Sequence, residues 1–238
     1  MPDYISIIFV HHAQNEERSL LARASLKSLQ ETIHFPAQII VVDNGNNIED
    51  SKFFLEECQK KKIAMYIRNA DNMHFAFARN QAMKHITGQW VAIVDNDIIY
   101  RDNWLDLCMR SIGGYLNLPE KETTKVIASP INYPYVHKRD PRWRHGQVKL
   151  KGRIFNLTER AGSNCMVMTR ETLNEMGEFD LNKKAGSHYT DRLVKAGYLV
   201  LTYEVNQAFD AGLRRGFNFT GEFEVKTTLS DGTTIKHA

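Results

Sequence analysis

Four apolar runs, each a strand long, set the frame of this chain: residues 4–10, 38–42, 63–67 and Trp90–Val94. Stretches with helical spacing separate them. In residues 16–29 the apolar side chains recur at Leu20, Leu21, Ala24, Leu26 and Leu29, with Asn15 as a candidate cap. Residues 51–61 and 75–85 read as two further helices, and Gly88 closes the second. A strand that is apolar along its whole length is buried on both faces. Such strands alternating with helices predict an α/β domain with a mostly parallel central sheet and helices on both faces. A polar cluster follows three of the strands: His11-His12-Ala13-Gln14-Asn15, Asp43-Asn44-Gly45 and Asp95-Asn96-Asp97. Open sheets of this kind bind ligands beyond the carboxyl ends of their strands, so these clusters predict a nucleotide-type crevice.

Asp95 and Asp97 carry the sharpest chemical signal. In an extended segment residues i and i+2 point to the same side, so the two carboxylates can face one hard cation such as Mg²⁺ or Mn²⁺. The alternative is a solvated turn. His11 and His12 are adjacent, and adjacent strand residues point to opposite faces. One of them, His11 in our reading, lines the crevice, and a two-histidine metal site is not expected.

The second half is less regular. Trp104–Leu116 reads as a helix, residues 125–129 as a strand, and residues 132–153 as a long basic loop. A strand within 161–169, a helix over Arg170–Met176, a short helix over 189–196 stopped by Gly197 and a strand over 198–203 follow. Residues 223–229 and 233–235 read as a β-hairpin about Ser230-Asp231-Gly232. Without repeats or a low-complexity linker, we expect one domain over residues 1–215, with a nucleotide-binding half to about residue 100 and an acceptor half beyond it. Residues 216–238 form a hairpin extension in this reading.

With 42% hydrophobic and 25% charged residues, the composition is that of a soluble globular protein. The longest apolar runs are strand-length, and the N-terminus lacks the features of a signal peptide. Cys58, Cys108 and Cys165 show no C-x-x-C spacing, which argues against a disulfide framework or a cysteine zinc site and suits a reducing compartment. A cytoplasmic location is expected, with peripheral visits to the inner face of the membrane if the partner is lipid-linked. Between residues 137 and 153 lie Lys138, Arg139, Arg142, Arg144, Lys149, Lys151 and Arg153, opposed by Asp140 alone and interleaved with Trp143 and His145. Such a segment can hold a phosphate-bearing partner, be it a nucleotide sugar, an anionic polymer, a lipid headgroup or nucleic acid, or can be a solvated loop.

Taken in order, the segments Ser6-Ile7-Ile8-Phe9-Val10 with Asn15-Glu16-Glu17, Ile39-Ile40-Val41-Val42-Asp43-Asn44-Gly45, Asn72 with Phe75-Ala76-Phe77-Ala78-Arg79-Asn80, and Gly88 through Asp95-Asn96-Asp97 resemble the GT-A glycosyltransferases. Within that fold the likeness is to family 2, whose members are inverting and use nucleotide sugars. Ala161-Gly162-Ser163-Asn164, Arg170 and Gly177-Glu178-Phe179-Asp180 extend it to the acceptor side. The resemblance implies a Rossmann-like GT-A domain, Mn²⁺ or Mg²⁺ as cofactor, and a nucleoside diphosphate sugar as donor, UDP in preference to GDP. It implies that Asp43 contacts the base, Arg79 the phosphates, and Asp97 the metal. Asp95 would lie nearer the ribose or the water shell of the metal, Asn80 would pin the chain, and Asn15 would stand at the donor site.

Three positions depart from the family pattern. His74 stands where glycine is common. The Glu-Asp pair whose aspartate serves as general base should fall near Ala185-Gly186 and is absent. The nearest proton acceptors are His188 and Asp191, one helical turn apart. Where many relatives carry a late metal-binding histidine, this chain has Asp210, which can replace it or be a loop residue.

The leading expectation is a metal-dependent transferase that moves one sugar to a hydroxyl acceptor with inversion. Arg142, Arg144 and Lys149 would favour an anionic acceptor: a polysaccharide, a lipid-linked intermediate or a nucleic acid. The alternative is a catalytically silent GT-A module that binds nucleotide or glycan as a recognition subunit. A nucleotidyltransferase is disfavoured, because residues 11–15 lack the glycine and basic residues of its phosphate loop.

Overall fold

The computed structural model describes residues 4–121, 123–131, 144–150, 152–159, 164–181, 185–203, 208–210, 225–228 and 234–237. In chain order the elements are β1 (Ile5–His11), α1 (Glu16–Glu31), β2 (Ala37–Asn44), α2 (Ile48–Gln59), β3 (Met65–Asn69), α3 (Phe75–Met83), β4 (Trp90–Val94), β5 (Ile98–Tyr100) and α4 (Trp104–Leu116). The second half adds β6 (Val126–Ser129), β7 (Arg144–Leu150), β8 (Arg153–Thr158), β9 (Cys165–Thr169), α5 (Arg170–Met176), α6 (Ala185–Lys195), β10 (Leu199–Tyr203), β11 (Ala208–Asp210), β12 (Val225–Thr228) and β13 (Thr234–His237).

Nine strands form one sheet in the order β3-β2-β1-β4-β9-β6-β10-β8-β7. The expected helix-covered sheet is present, but it is mixed rather than mostly parallel. The β3-β2-β1-β4 half is parallel, as is β6 with β10, whereas β9 runs antiparallel between β4 and β6, and β8 antiparallel between β10 and β7. Apolar continuity reports burial on both faces and is blind to strand direction. The expected basic loop is also corrected at its end: residues 144–150 are strand β7, joined to β8 in an antiparallel hairpin. The C-terminal hairpin is present as β12 and β13, with Thr228 opposite Thr234. Its turn at Ser230-Asp231-Gly232 lies outside the described residues, as do Arg142 and Ala161-Gly162-Ser163.

The period of two along each strand divides the core between the faces. Ile5, Ile7, Phe9, Val41, Ala92 and Val94 point to the face covered by α1, α2 and α4, where Leu26, Leu29, Phe54 and Trp104 meet them. Ile8, Val10, Ile40, Val42, Val91 and Ile93 point to the other, where Ala78, Leu173, Met176 and Leu193 come from α3, α5 and α6. The polar residues inside the strands are matched to each other. Ser6 donates to Gln38 Oε1 at 2.6 Å and accepts the backbone N–H of Gly88 at 2.9 Å, closing the lower edge of β1, β2 and β4. At the opposite, carboxyl edge His11 is in register with Asp43, and Asp95 is the first residue beyond β4.

Candidate nucleotide and metal site

Asp43 ends β2 fully buried. One carboxylate oxygen accepts Asn46 Nδ2 at 2.6 Å and its backbone N–H at 3.2 Å; the other accepts the hydroxyls of Ser51 at 2.5 Å and Tyr66 at 2.7 Å. Burial, aided by the bond to Asp43, pushes the Tyr66 phenol up to about 12, so it remains a donor at neutral pH. Asp43 therefore anchors the crevice wall, and both its oxygens are engaged by the chain itself. Gly45, two residues on, has φ +76°, and a Cβ there would stand 2.3 Å from the carbonyl carbon of Asp71. That close approach lets Asn44 accept from Asn69 Nδ2 at 2.9 Å and from the backbone of Met73 at 3.1 Å, tying the ends of β2 and β3 to the loop before α3.

His11 is fully buried and sits behind the crevice rather than lining it. Its Nε2 is 3.1 Å from Asp50 Oδ2, and its Nδ1 is 3.0 Å from Asn96 Nδ2. Asp50, which sequence reasoning missed, also accepts Ser19 Oγ at 2.6 Å and two guanidinium nitrogens of Arg23 at 2.9 and 2.7 Å. Burial disfavours its charged form. The hydrogen bonds from His11, Ser19 and Arg23 outweigh that, holding the carboxyl well below the usual carboxylate range. The sequence signal was slight: Asp50 looks like an ordinary acidic residue in a first helical turn, after the cap Asn47.

Asn96 and Asp97 form a turn, so the two aspartates are not presented side by side by an extended strand. Asp95 pairs with Arg79 Nη2 of α3, on one face of the sheet, and Asp97 pairs with Arg18 Nη1 of α1, on the other, at 3.2 Å. Arg79 is almost wholly buried, with its guanidinium carbon 4.8 Å from the ring centre of Phe75 and 5.1 Å from that of Phe179. Asn15 caps α1 by accepting the backbone N–H of Arg18 at 3.0 Å, and so fixes the helix start that presents Arg18. Among the described residues no three His, Cys, Asp or Glu side chains converge. The backbone supplies a third candidate: β11 pairs antiparallel with β5, placing Asp210 opposite Ile98, the neighbour of Asp97. An all-oxygen set of Asp97, Asp95 and Asp210 fits a hard divalent cation in kind.

Asn80 is buried and exchanges both its amide groups with the backbone of Phe179, at 2.9 and 2.8 Å, clamping α3 to the segment before α6. His74 caps α3 with φ +66°, a conformation natural to glycine. His188 and Asp191 both lie on α6, half-buried. Tyr189 between them stacks on Phe179 with ring centres 4.1 Å apart, and so connects α6 to Arg79. Ala185 and Gly186, where the resemblance implies a Glu-Asp pair, begin this helix. Lys149 is exposed on the outermost strand β7, which also contains Arg144. All three cysteines are free thiols, and burial pushes those of Cys108 and Cys165 far up.

Residues 9–175 match the model of glycosyl transferase family 2. An uncharacterized glycosyltransferase of Methanocaldococcus jannaschii, MJ1057, is 38% identical over 61 residues, which is 26% of this chain and 21% of that one. Among solved structures, the mannosyltransferase PcManGT from Pyrobaculum calidifontis, in complex with GDP-Man and Mn²⁺, superposes with a TM-score of 0.64 at 20% identity, covering 89% of this chain and 58% of that one. A 1–349 fragment of S. aureus TarS in complex with UDP-GlcNAc gives a TM-score of 0.60 at 14% identity, covering 92% of this chain and 61% of the fragment. This chain thus spans about three-fifths of the length of those structures. Among the described residues no helix is long and apolar enough to cross a membrane.

Proposed function

We propose that this chain, which belongs to glycosyl transferase family 2, transfers one sugar from a nucleoside diphosphate sugar to a hydroxyl acceptor with inversion, using Mn²⁺ or Mg²⁺. The observation that carries the reading is the carboxyl edge of the parallel half-sheet. Asp43 ends β2 there, and Asp95 and Asp97 follow β4, two strands away, paired with arginines from helices on opposite faces. Donor chemistry of this kind is named in two structural neighbours, one solved with GDP-Man and Mn²⁺ and the other with UDP-GlcNAc. We favour UDP over GDP.

In this account Asp97 and Asp210 would hold the metal, and Asp95 would border the ribose. A divalent ion there would neutralise the diphosphate and stabilise its departure. Asp43 sets the wall against which the base rests. Arg79 keeps Asp95 oriented, and Arg18, released from Asp97, turns to the diphosphate. Asp191 or His188 accepts the proton of the acceptor hydroxyl. Its oxygen forms the new bond to the anomeric carbon as the bond to the phosphate oxygen breaks, and the electron pair leaves on the diphosphate. Arg142, Arg144 and Lys149 favour an anionic acceptor, whether a polysaccharide, a lipid-linked intermediate or a nucleic acid.

The test is release of UDP or GDP from a panel of nucleotide sugars with Mn²⁺, in the presence and absence of anionic acceptors. Acceptor-dependent release that falls at least about a hundredfold in Asp191→Asn or in His188→Ala supports the assignment, and full turnover in both variants removes it. A second reading, a nucleotide-binding module without turnover, draws on Ala185 and Gly186 standing where a base is expected. It predicts diphosphate binding with no release from any donor.

A further inference from the structure

Neither Asp50 nor His11 faces the crevice, yet the two are joined to its metal-binding turn. Both are fully buried. Asp50 Oδ1 receives Arg23 twice, and Oδ2 receives Ser19 and His11, so four donors hold the carboxylate against rotation. The His11 ring is further held 4.9 Å from the ring of Phe54. A carboxylate can only accept, so Nε2 carries a proton, and an amide nitrogen can only donate, so Nδ1 presents its lone pair. That lone pair meets Asn96 Nδ2 at 3.0 Å. The chain of bonds runs one way, from Asn96 to His11 to Asp50, and ends on the middle residue of Asp95-Asn96-Asp97. The flanking aspartates repel each other and are drawn to arginines on opposite sides of the sheet, so the turn needs a fixed point between them.

We propose that Asp50, acting through His11, is a positioning residue that sets the conformation of the Asp95-Asn96-Asp97 turn and thereby its affinity for a divalent metal–diphosphate. The consequence for affinity rests on the transferase reading above; the consequence for the turn does not. Neighbours that orient a metal-binding group commonly change affinity by about 10–100-fold when altered.

Two substitutions at His11 separate its two bonds. The Gln amide nitrogen reaches the place of Nε2 and retains Asp50 while losing Asn96. The Asn amide oxygen reaches the place of Nδ1, retaining Asn96 while losing Asp50 one donor of four. Asn96→Ser cuts the same link from the turn side, removing the amide donor to His11 Nδ1 and its longer bond to the carbonyl of His12 at 3.4 Å. The measurements are backbone ¹⁵N order parameters at residues 95–97 without ligand, and calorimetric titration of Mn²⁺ with UDP and with GDP.

We expect His11→Gln and Asn96→Ser to lower the order parameters at residues 95–97 from about 0.85 toward 0.6 and to weaken Mn²⁺-dependent binding about tenfold. His11→Asn, which keeps the acceptor for Asn96 but cuts it from Asp50, should lower both as well, though by less than His11→Gln; order and binding at the wild-type level in His11→Asn would remove Asp50 from the role. Order unchanged in both His11→Gln and Asn96→Ser overturns the proposal. If the turn loosens but the wild-type protein binds neither diphosphate with Mn²⁺, the transferase reading fails and the positioning of the turn stands.

Discussion

Arg18 Nη1 stands 3.2 Å from Asp97 Oδ2, a contact between the first turn of α1 and the turn after β4. The arginine holds the charge position that a divalent ion would take, and it is nearly half exposed, so it can leave. A surface pair of this kind contributes at most about 1 kcal/mol, or roughly fivefold in a binding constant. Arg18→Met should therefore tighten Mn²⁺ binding in the absence of nucleotide by up to about fivefold. Donor affinity should fall, because the diphosphate loses a cation. Metal and donor titrations check the opposite signs; parallel changes would contradict the exchange of partners.

Arg79 joins α3 to Asp95 and lies between Phe75 and Phe179. Breaking a buried ion pair costs about 3–5 kcal/mol. Asp95 is partly solvated, which reduces that to about 2 kcal/mol in our estimate. Arg79→Met should lower the melting temperature by roughly 4–8 °C, and diphosphate binding should suffer as Asp95 loses its orientation. An unchanged melting temperature would contradict the packing role.

His74 keeps φ at +66° against its preference, and its capping bond to Ala76 is long at 3.4 Å. His74→Gly should raise stability by about 1 kcal/mol. Gly45→Ala should do the reverse, by at least about 3 kcal/mol, since its Cβ would strike the backbone of Asp71. Denaturant unfolding checks both. If His74→Gly destabilises, the contact of its ring with Phe75, centres 5.0 Å apart, outweighs the backbone strain.

Asp50 ionises below its unfolded-state value of about 3.9. Its contribution to stability is therefore present above that value and is lost as pH falls through the folded-state value. The wild-type protein should lose stability progressively below about pH 4. Asp50→Asn should be less stable at pH 7 and show a flatter acid limb. Parallel pH profiles in the two proteins would contradict the assignment.

The strands of the parallel half-sheet were legible because a doubly covered strand is apolar throughout, and polar residues resume where β1, β2 and β4 leave the sheet. The place of Asp43, Asp95 and Asp97 at the carboxyl edge was legible for the same reason. Strand direction was not, since Cys165–Thr169 is as apolar as any parallel strand but runs antiparallel to β4. Nor was β5, a three-residue strand whose partner β11 lies more than a hundred residues away. Asp50 escaped because its meaning lies in contacts with His11, Ser19 and Arg23, which only the packing of α1 against α2 and β1 creates. His11 was placed at the correct edge, but a residue ending a strand can face the crevice or back it, and periodicity does not choose between them.

The central claim is that the carboxyl edge of β1, β2 and β4 binds a nucleoside diphosphate through a divalent ion on Asp97. The most direct measurement is calorimetric titration of UDP and GDP into wild-type protein and Asp97→Ala, each with and without Mn²⁺. The account predicts that one diphosphate binds the wild type only when Mn²⁺ is present, and that Asp97→Ala weakens this binding at least about tenfold. Binding equal with and without Mn²⁺, or undiminished in Asp97→Ala, would contradict it.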